Sequence, residues 1–420
     1  MSAQETMAAR RDERRLAPSW PNGAARDRLR VLVITRIFPN AVEPLSSPFN
    51  RQQFAALGRL SHVEVMATIP WFPGAGLFGR RTRAASLRDV PSRDEIDGLP
   101  VVHPRVLYVP KVGAGLSAAL EVGSLFSAVR DRRHQIDVVL GSWAYPDGAA
   151  AVALARMIGV PAVIKAHGSD LNVLSSMYGP RANLALAMPR AARVVTVSRA
   201  LADKAAALGV RRDRIAVVPN GVDASLFHVR DARLARRALG LSTRDRFILY
   251  CGRIERAKGV FELLDAFATV LRDQPDLSLV LLGEGAATTE AERVARPLGD
   301  RVRVVGARPL TEVPMWMAAS SLVTLPSHNE GSPNVVREAL ACGRPVVATS
   351  VGGIPELVDS PRLGELVAPR NVPALAHALS SVAARPFDAE AIAASSGGSW
   401  EDSAAALLSV LGAAHREHRC

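Results

Sequence analysis

Cysteine, aromatic residues and long apolar runs are all scarce in this sequence. Its 420 residues include only three cysteines, Cys251, Cys342 and Cys420, which excludes a disulfide scaffold and fits a reducing compartment. The nine histidines are scattered and none pairs with cysteine at ligand spacing, so no metal site is expected. Aromatics make up 5% of the chain and none falls in a base-stacking motif, so nucleic acid is not the expected partner. The richest apolar stretch, residues 148–164, is interrupted by Arg156 and Pro161, and nothing approaches the roughly 18 unbroken apolar residues of a membrane span. Arg10, Arg11, Arg14 and Arg15 precede no apolar core, so the amino-terminal stretch is not read as a signal peptide. The expected location is cytoplasmic, with peripheral attachment to the inner face of the cytoplasmic membrane as an option.

What is present is an alternation of short apolar runs with helical patterns. The chain exceeds the roughly 250–300 residues at which one core stops growing, and strand patterns recur at 31–34, 63–68, 101–103, 138–140, 162–165, 194–197 and 216–218. A second series follows at 247–250, 277–282, 302–305, 322–325 and 346–348. Helical patterns intervene, for example at 147–158 and 199–208. This order predicts an α/β protein with two parallel-sheet units in tandem. The expected divisions are a disordered basic tail at 1–28, a first unit at 29–220, a linker at 221–243 and a second unit at 244–395. A closing segment, 396–420, carries a helix from Trp400 to Leu411.

Three strings in the second unit carry chemistry. In the nonamer 330–338 (EGSPNVVRE), Glu330 and Glu338 frame a Gly-Ser-Pro turn. Paired carboxylates beside freed amides suit sugar hydroxyls, and Ser332 with Pro333 predicts a helix cap and first turn. Strand 247–250 runs into 251–259 (CGRIERAKG), which holds Arg253 and Lys258 on a loop next to a helix start, the usual setting of a bound phosphate. Gly283-Glu284-Gly285 makes a tight turn after the next strand, and Gly352-Gly353 frees amides after a later one. Each charge alone would also be satisfied as a solvated loop residue.

These strings, together with Pro219-Asn220-Gly221-Val222-Asp223 and His167-Gly168-Ser169-Asp170, resemble the retaining glycosyltransferases of family 4. The resemblance spans about Val31 to Leu411. It implies the GT-B fold, two tandem Rossmann-like domains facing a cleft, with the closing helix crossing back to the first domain. It also implies roles. Glu338 would bind the ribose of a nucleotide, and Glu330 the donor sugar near its 3-hydroxyl. The turn Gly331, Ser332, Pro333, Asn334 and Val335 would aid with backbone amides, and Gly283 would lie beside the nucleotide. Arg253 and Lys258 would hold the diphosphate, and His167 would reach the donor sugar across the cleft. No metal or cofactor is implied beyond a UDP- or GDP-sugar donor. Trp143 to Gly148 and the run 37–40 look like a subgroup acting on bacterial cell-surface polysaccharides. A Gly-Gly turn common after the first strand is missing, since residues 35–48 contain no glycine, which puts donor contacts from the first domain in doubt.

The implied function is transfer of a sugar to an envelope polysaccharide or lipid-linked acceptor. Alternatives are a sugar phosphorylase or synthase with a soluble acceptor, and a non-catalytic membrane scaffold. The net charge of +12 asks for an anionic partner. Trp71, Phe72 and Phe78 on a Gly/Pro loop beside Arg80 and Arg81 suit an anionic membrane surface, although the same aromatics could tuck into a core.

Overall fold

Runs such as Val31 to Ile34 and Leu279 to Leu282 read as continuously apolar because their strands are buried on both faces, as parallel sheets require. The structure is a computed structural model and describes residues 28–72, 86–109 and 113–420. The basic tail, apart from Arg28, and Phe78, Arg80 and Arg81 lie outside the described residues. The chain divides into two compact units.

The first unit comprises residues 1–197, 201–219 and 400–420. Its strands are β1 (Arg30–Thr35), β2 (His62–Ala67), β3 (Ile69–Trp71), β4 (Arg93–Ile96), β5 (Leu99–Val102), β6 (Arg105–Leu107), β7 (Val138–Ser142), β8 (Ala162–Ala166), β9 (Arg193–Thr196) and β10 (Ile215–Val217). Eight form one sheet in the order β10-β9-β8-β7-β1-β2-β5-β4, while β3 and β6 pair separately. Val31 registers with Val63 on one side and Val138 on the other, so the order reverses between β1 and β7. Such a reversal opens a crevice beyond the strands' carboxyl ends. The closing helix runs from Trp400 to Arg419, eight residues beyond the predicted Leu411, and buries Trp400, Ala404, Leu407 and Leu411 in a core with Val31, Phe54 and Leu57. The pattern at 147–158 begins as a helix only at Ala149, because Tyr145 interrupts the preceding turn with extended backbone.

The second unit takes in residues 198–200 and 220–399. Its strands β11 (Arg246–Cys251), β12 (Leu277–Leu282), β13 (Val302–Gly306), β14 (Leu322–Leu325), β15 (Val346–Thr349) and β16 (Gly364–Val367) pair in the order β13-β12-β11-β14-β15-β16. Here the order reverses between β11 and β14. Helix Val260–Asp273 covers the sheet with Val260, Leu263, Leu264, Phe267 and Val270, all buried. Residues 221–243, read above as linker, contribute Val222, Phe227 and Ala235 to this core. Their helix Ala232–Ala238 is capped by Asp231, whose carboxylate accepts from the Arg233 and Leu234 amides.

Candidate active site

The site of the second unit is built on the loops that leave β11 and β14, the two strands flanking its reversal. After β11 the chain turns through Gly252 and Gly259. A Cβ on Gly259, at φ 70°, would lie 2.0 Å from the Pro326 carbonyl oxygen, so only glycine lets the two loops touch. The His328 amide then donates to the Ala257 carbonyl at 3.0 Å. That contact brings together charges that the sequence separates by 72 positions: Lys258 Nζ donates to Glu330 Oε1 at 2.7 Å. Both side chains are mostly shielded, at 22% and 11% exposure.

The neighbouring loops close around this pair. Gly352, at φ 55°, approaches so closely that a Cβ would sit 1.9 Å from the Glu330 carbonyl oxygen, and the Gly353 amide donates to the Gly331 carbonyl at 2.7 Å. Gly283 meets Gly252 in the same way, with 1.9 Å between its would-be Cβ and the Gly252 oxygen. The tight turn predicted at Gly283 and the freed amides predicted at Gly352-Gly353 thus fall at close backbone contacts between loops, with the Gly353 amide bonded to Gly331.

Glu338 lies one turn into helix Asn334–Ala341. Its carboxylate has no protein partner among the described residues, and burial pushes it up to about 7. Burial likewise raises the Cys251 thiol at the end of β11, with the nearby Glu338 carboxylate adding to the effect. The amides of Ser332 and Asn334 also donate to no acceptor within the described residues. An unpartnered carboxylate beside free amides at a helix start presents acceptors and donors together. Ser332 is not the helix cap: Pro333 occupies that position with extended backbone and no side-chain bond. Proline stands at the boundary because it disfavours helical backbone in the residue before it. Asn334 is held instead by Asn220, whose Nδ2 donates to its Oδ1 at 2.9 Å.

Arg253 differs from Lys258. It is 70% exposed and pairs with Glu255 at 2.9 Å, while its carbonyl accepts from the Tyr250 hydroxyl at 2.6 Å. The loop backbone is thus fixed and the guanidinium is left at the surface. Tyr250 was legible only as the end of strand 247–250 and Cys251 only as the first residue of the string 251–259, and neither gave a chemical signal.

In the first unit, His167 follows β8. Its Nε2 lies 2.9 Å from Ser142 Oγ, its ring stands 5.0 Å from that of Phe49 and 6.3 Å from that of Trp143, and its Nδ1 is buried with no partner among the described residues. Burial, reinforced by Lys165, drives the imidazole well below its usual value, so it is neutral near pH 7. Asp170 fixes the loop by accepting from the amides of Ala144, His167, Gly168 and Leu171.

Sequence reasoning missed a buried cluster at the reversal of this sheet. Asp147, wholly buried, accepts from the Arg36 amide at 2.6 Å and from Arg36 Nε at 2.8 Å. Glu121, also wholly buried, lies 3.5 Å from Arg36 Nη2, and burial with the adjacent Asp147 raises it well above the usual carboxyl value. The available signal was Glu121 itself, an acid on the face that buries Ala118, Leu125 and Val129. Arg36 occupies the turn where a Gly-Gly pair was looked for, and its guanidinium is engaged by Asp147 and Glu121.

Comparison with known proteins agrees with this architecture. The family described as Glycosyl transferases group 1 matches residues 245–385, and Glycosyltransferase Family 4 matches residues 84–226. TuaC of Bacillus subtilis, named as a teichuronic acid biosynthesis glycosyltransferase, is 30% identical over 359 residues, spanning 84% of this chain and 88% of that protein. The D-inositol 3-phosphate glycosyltransferase 1 of Catenulispora acidiphila is 30% identical over 360 residues, or 78% of this chain and 84% of its own. Anabaena Alr3699/HepE, solved in complex with UDP-glucose, shares the fold with a TM-score of 0.59 at 21% identity, covering 87% of this chain and 97% of that one. A relative matched along most of both chains, with two mainly parallel sheets in tandem as expected, identifies this protein as a glycosyltransferase of family 4 with the GT-B fold.

Proposed function

We propose that the enzyme transfers a sugar from a UDP- or GDP-linked donor to a cell-envelope polysaccharide or lipid-linked acceptor, with retention of anomeric configuration and without a metal. The observation that carries the donor reading is the half-buried Glu338 carboxylate with no partner among the described residues, one turn into the helix that follows the loop holding Glu330 of the Lys258–Glu330 pair. A ribose diol satisfies such a carboxylate with two hydroxyl donors. Lys258 and Arg253 then face the diphosphate and stabilise the charge that develops as it leaves, an electrostatic role that a divalent cation serves elsewhere. Glu330, already oriented by Lys258, accepts from a hydroxyl of the transferred sugar, and the Ser332 and Asn334 amides donate to it. Neutral His167 is proposed as a further contact of that sugar, through the Nδ1 that no group among the described residues uses. With no carboxylate assigned as nucleophile, attack and departure share one face of the sugar.

Support for the acceptor comes from TuaC, named for teichuronic acid biosynthesis, and support for the donor from HepE, which binds UDP-glucose. Among the described residues no helix is long and apolar enough to cross a membrane. Attachment would run through the 71–81 segment, in which Trp71 and Phe72 are half-buried. The test is incubation with UDP- and GDP-sugars and a membrane lipid extract, with and without chelator, followed by NMR of the product anomer. Chelator-resistant transfer with retention supports the proposal. An inverted product or loss of activity to chelator refutes the corresponding part.

A second reading is transfer to a small soluble acceptor, favoured by the relative named for D-inositol 3-phosphate. Sugar transfer to a soluble polyol phosphate, or to inorganic phosphate, in the absence of lipid would select it. A non-catalytic scaffold would show neither transfer nor donor hydrolysis.

A further inference from the structure

The first sheet reverses between β1 and β7, and the loops leaving those two strands hold a guanidinium that the donor reading does not use. Arg36 directly follows β1, and Asp147 lies in the turn after β7. The Thr35 hydroxyl ties the two loops together by donating to the Ser142 carbonyl at 2.6 Å. Gly141 lets the turn close over the strand, since a Cβ there would lie 2.5 Å from the Gly148 Cα. Asp147 then accepts from the Arg36 amide and Nε, and Glu121 faces Nη2.

These bonds occupy one edge of the guanidinium. Nη1 donates to no acceptor among the described residues, and the Arg36 side chain is 33% exposed while both carboxylates are wholly buried. Burial, with the adjacent Asp147, pushes the Glu121 carboxyl well up, so the two acids share a proton and set one negative charge against one cation. The cluster is neutral, and its open side is the guanidinium. Nearby segments do not repel an anion either. Tyr145, in the same turn as Asp147, reaches the Ala114 carbonyl with its hydroxyl, and residues 103–120 and 171–192 contain no aspartate or glutamate. Asp170, between them, is spent on four backbone amides. Tying one loop to the other needs only the buried edge of Arg36. An arginine fixed from behind by a buried carboxylate and open in front is preorganised for an oxyanion, and the crevice at a reversal of strand order is where such sheets bind ligands.

We propose that Arg36 is an anion-binding residue of the first unit, which takes a carboxylate or phosphate borne by the saccharide acceptor. The proposal rests on the acceptor reading above for the nature of the ligand, and on no part of the donor site.

The experiment is calorimetric titration of the full chain with two probe pairs that differ in charge, D-glucuronate against D-glucose and an inositol monophosphate against inositol, at about millimolar concentration. The proteins are wild type, the double variant Arg36→Gln/Asp147→Asn, which removes both charges and leaves the cluster neutral, and the control Arg181→Gln, which removes an exposed cation. Wild type and control should bind one charged probe about tenfold or more tighter than its neutral partner, and the pair that shows it distinguishes carboxylate from phosphate. The double variant should melt cooperatively and lose the preference. A measurement on wild type alone covers a variant that does not fold: the charged probe should shield Arg36 from phenylglyoxal, read by mass spectrometry of the peptides, and the neutral partner should not. Preference retained by the double variant overturns the proposal, as do absence of preference in wild type, equal loss in Arg181→Gln, and an Arg36 left unshielded. Neither readout needs transfer or a nucleotide, so failure here leaves the donor reading standing, while failure of the acceptor reading shows instead as absent transfer to the lipid extract.

Discussion

Replacing Glu338 by glutamine should make the protein more stable and a poorer binder of nucleotide. The carboxyl ordinarily titrates at 4.5 and burial raises it to about 7, while each pH unit between folded and unfolded values corresponds to about 1.4 kcal/mol. The folded state therefore holds its proton more tightly than the unfolded state. The sign follows: Glu338 costs nothing below about pH 4, and its penalty grows as pH rises until it is complete above about 7. Its upper bound is about 3.5 kcal/mol, and solvent reaching a half-buried carboxylate leaves roughly half of that. Glu338→Gln removes the penalty, so thermal melts at pH 8 should rise by about 3–7 °C, taking about 2–4 °C per kcal/mol for a unit of this size. The gain should vanish at pH 4–5. In calorimetric titrations the same variant should bind UDP or GDP about 10- to 100-fold more weakly, because hydrogen bonds to an ionised acceptor are stronger by about 1 kcal/mol each. Wild-type affinity should itself increase as pH rises through about 7. Unchanged nucleotide affinity in Glu338→Gln, whatever happens to the melt, would refute the assignment of this carboxylate to the nucleotide.

Glu330→Ala removes the partner of Lys258 at 2.7 Å and should leave nucleotide affinity within a few-fold while lowering transfer by about 100-fold or more; equal losses in binding and transfer would contradict the division of roles. Gly352→Ala places a Cβ 1.9 Å from the Glu330 carbonyl oxygen at φ 55°, so a loss of more than about 2 kcal/mol in melts is expected together with impaired transfer. Neutral His167 should contribute no limb near pH 6.5 to the kcat/KM profile. A limb there that disappears in His167→Gln would show that the imidazole titrates after all.

Strands buried on both faces were legible because β1, β11, β12 and β14 are apolar runs with only Ser278 and Thr324 inside them. The short polar edge strands were not. β4 is Arg-Asp-Glu-Ile and β16 is Gly-Glu-Leu-Val, edge strands whose identity comes from pairing with β5 and β15 rather than from composition. The helix at 334 begins after Pro333 rather than at it, since proline's extended backbone decided the boundary and the serine's capping propensity did not. At the site, the separate motifs around Arg253, Lys258, Glu330 and Glu338 could be read from turn glycines and helix starts. Their meeting could not, because it depends on the order of strands at the β11/β14 reversal. Arg36, Glu121 and Asp147 escaped for the same reason: they come from three segments joined only by the fold.

A nucleoside diphosphate is proposed to occupy the β11/β14 reversal of the second unit, and calorimetric titration of UDP and GDP into wild type and Lys258→Ala tests that placement directly. Saturable binding of one nucleotide to wild type, weakened about tenfold or more by Lys258→Ala, is the predicted result. Absence of binding by either nucleotide at about millimolar concentration, or equal affinity of wild type and variant, would contradict it.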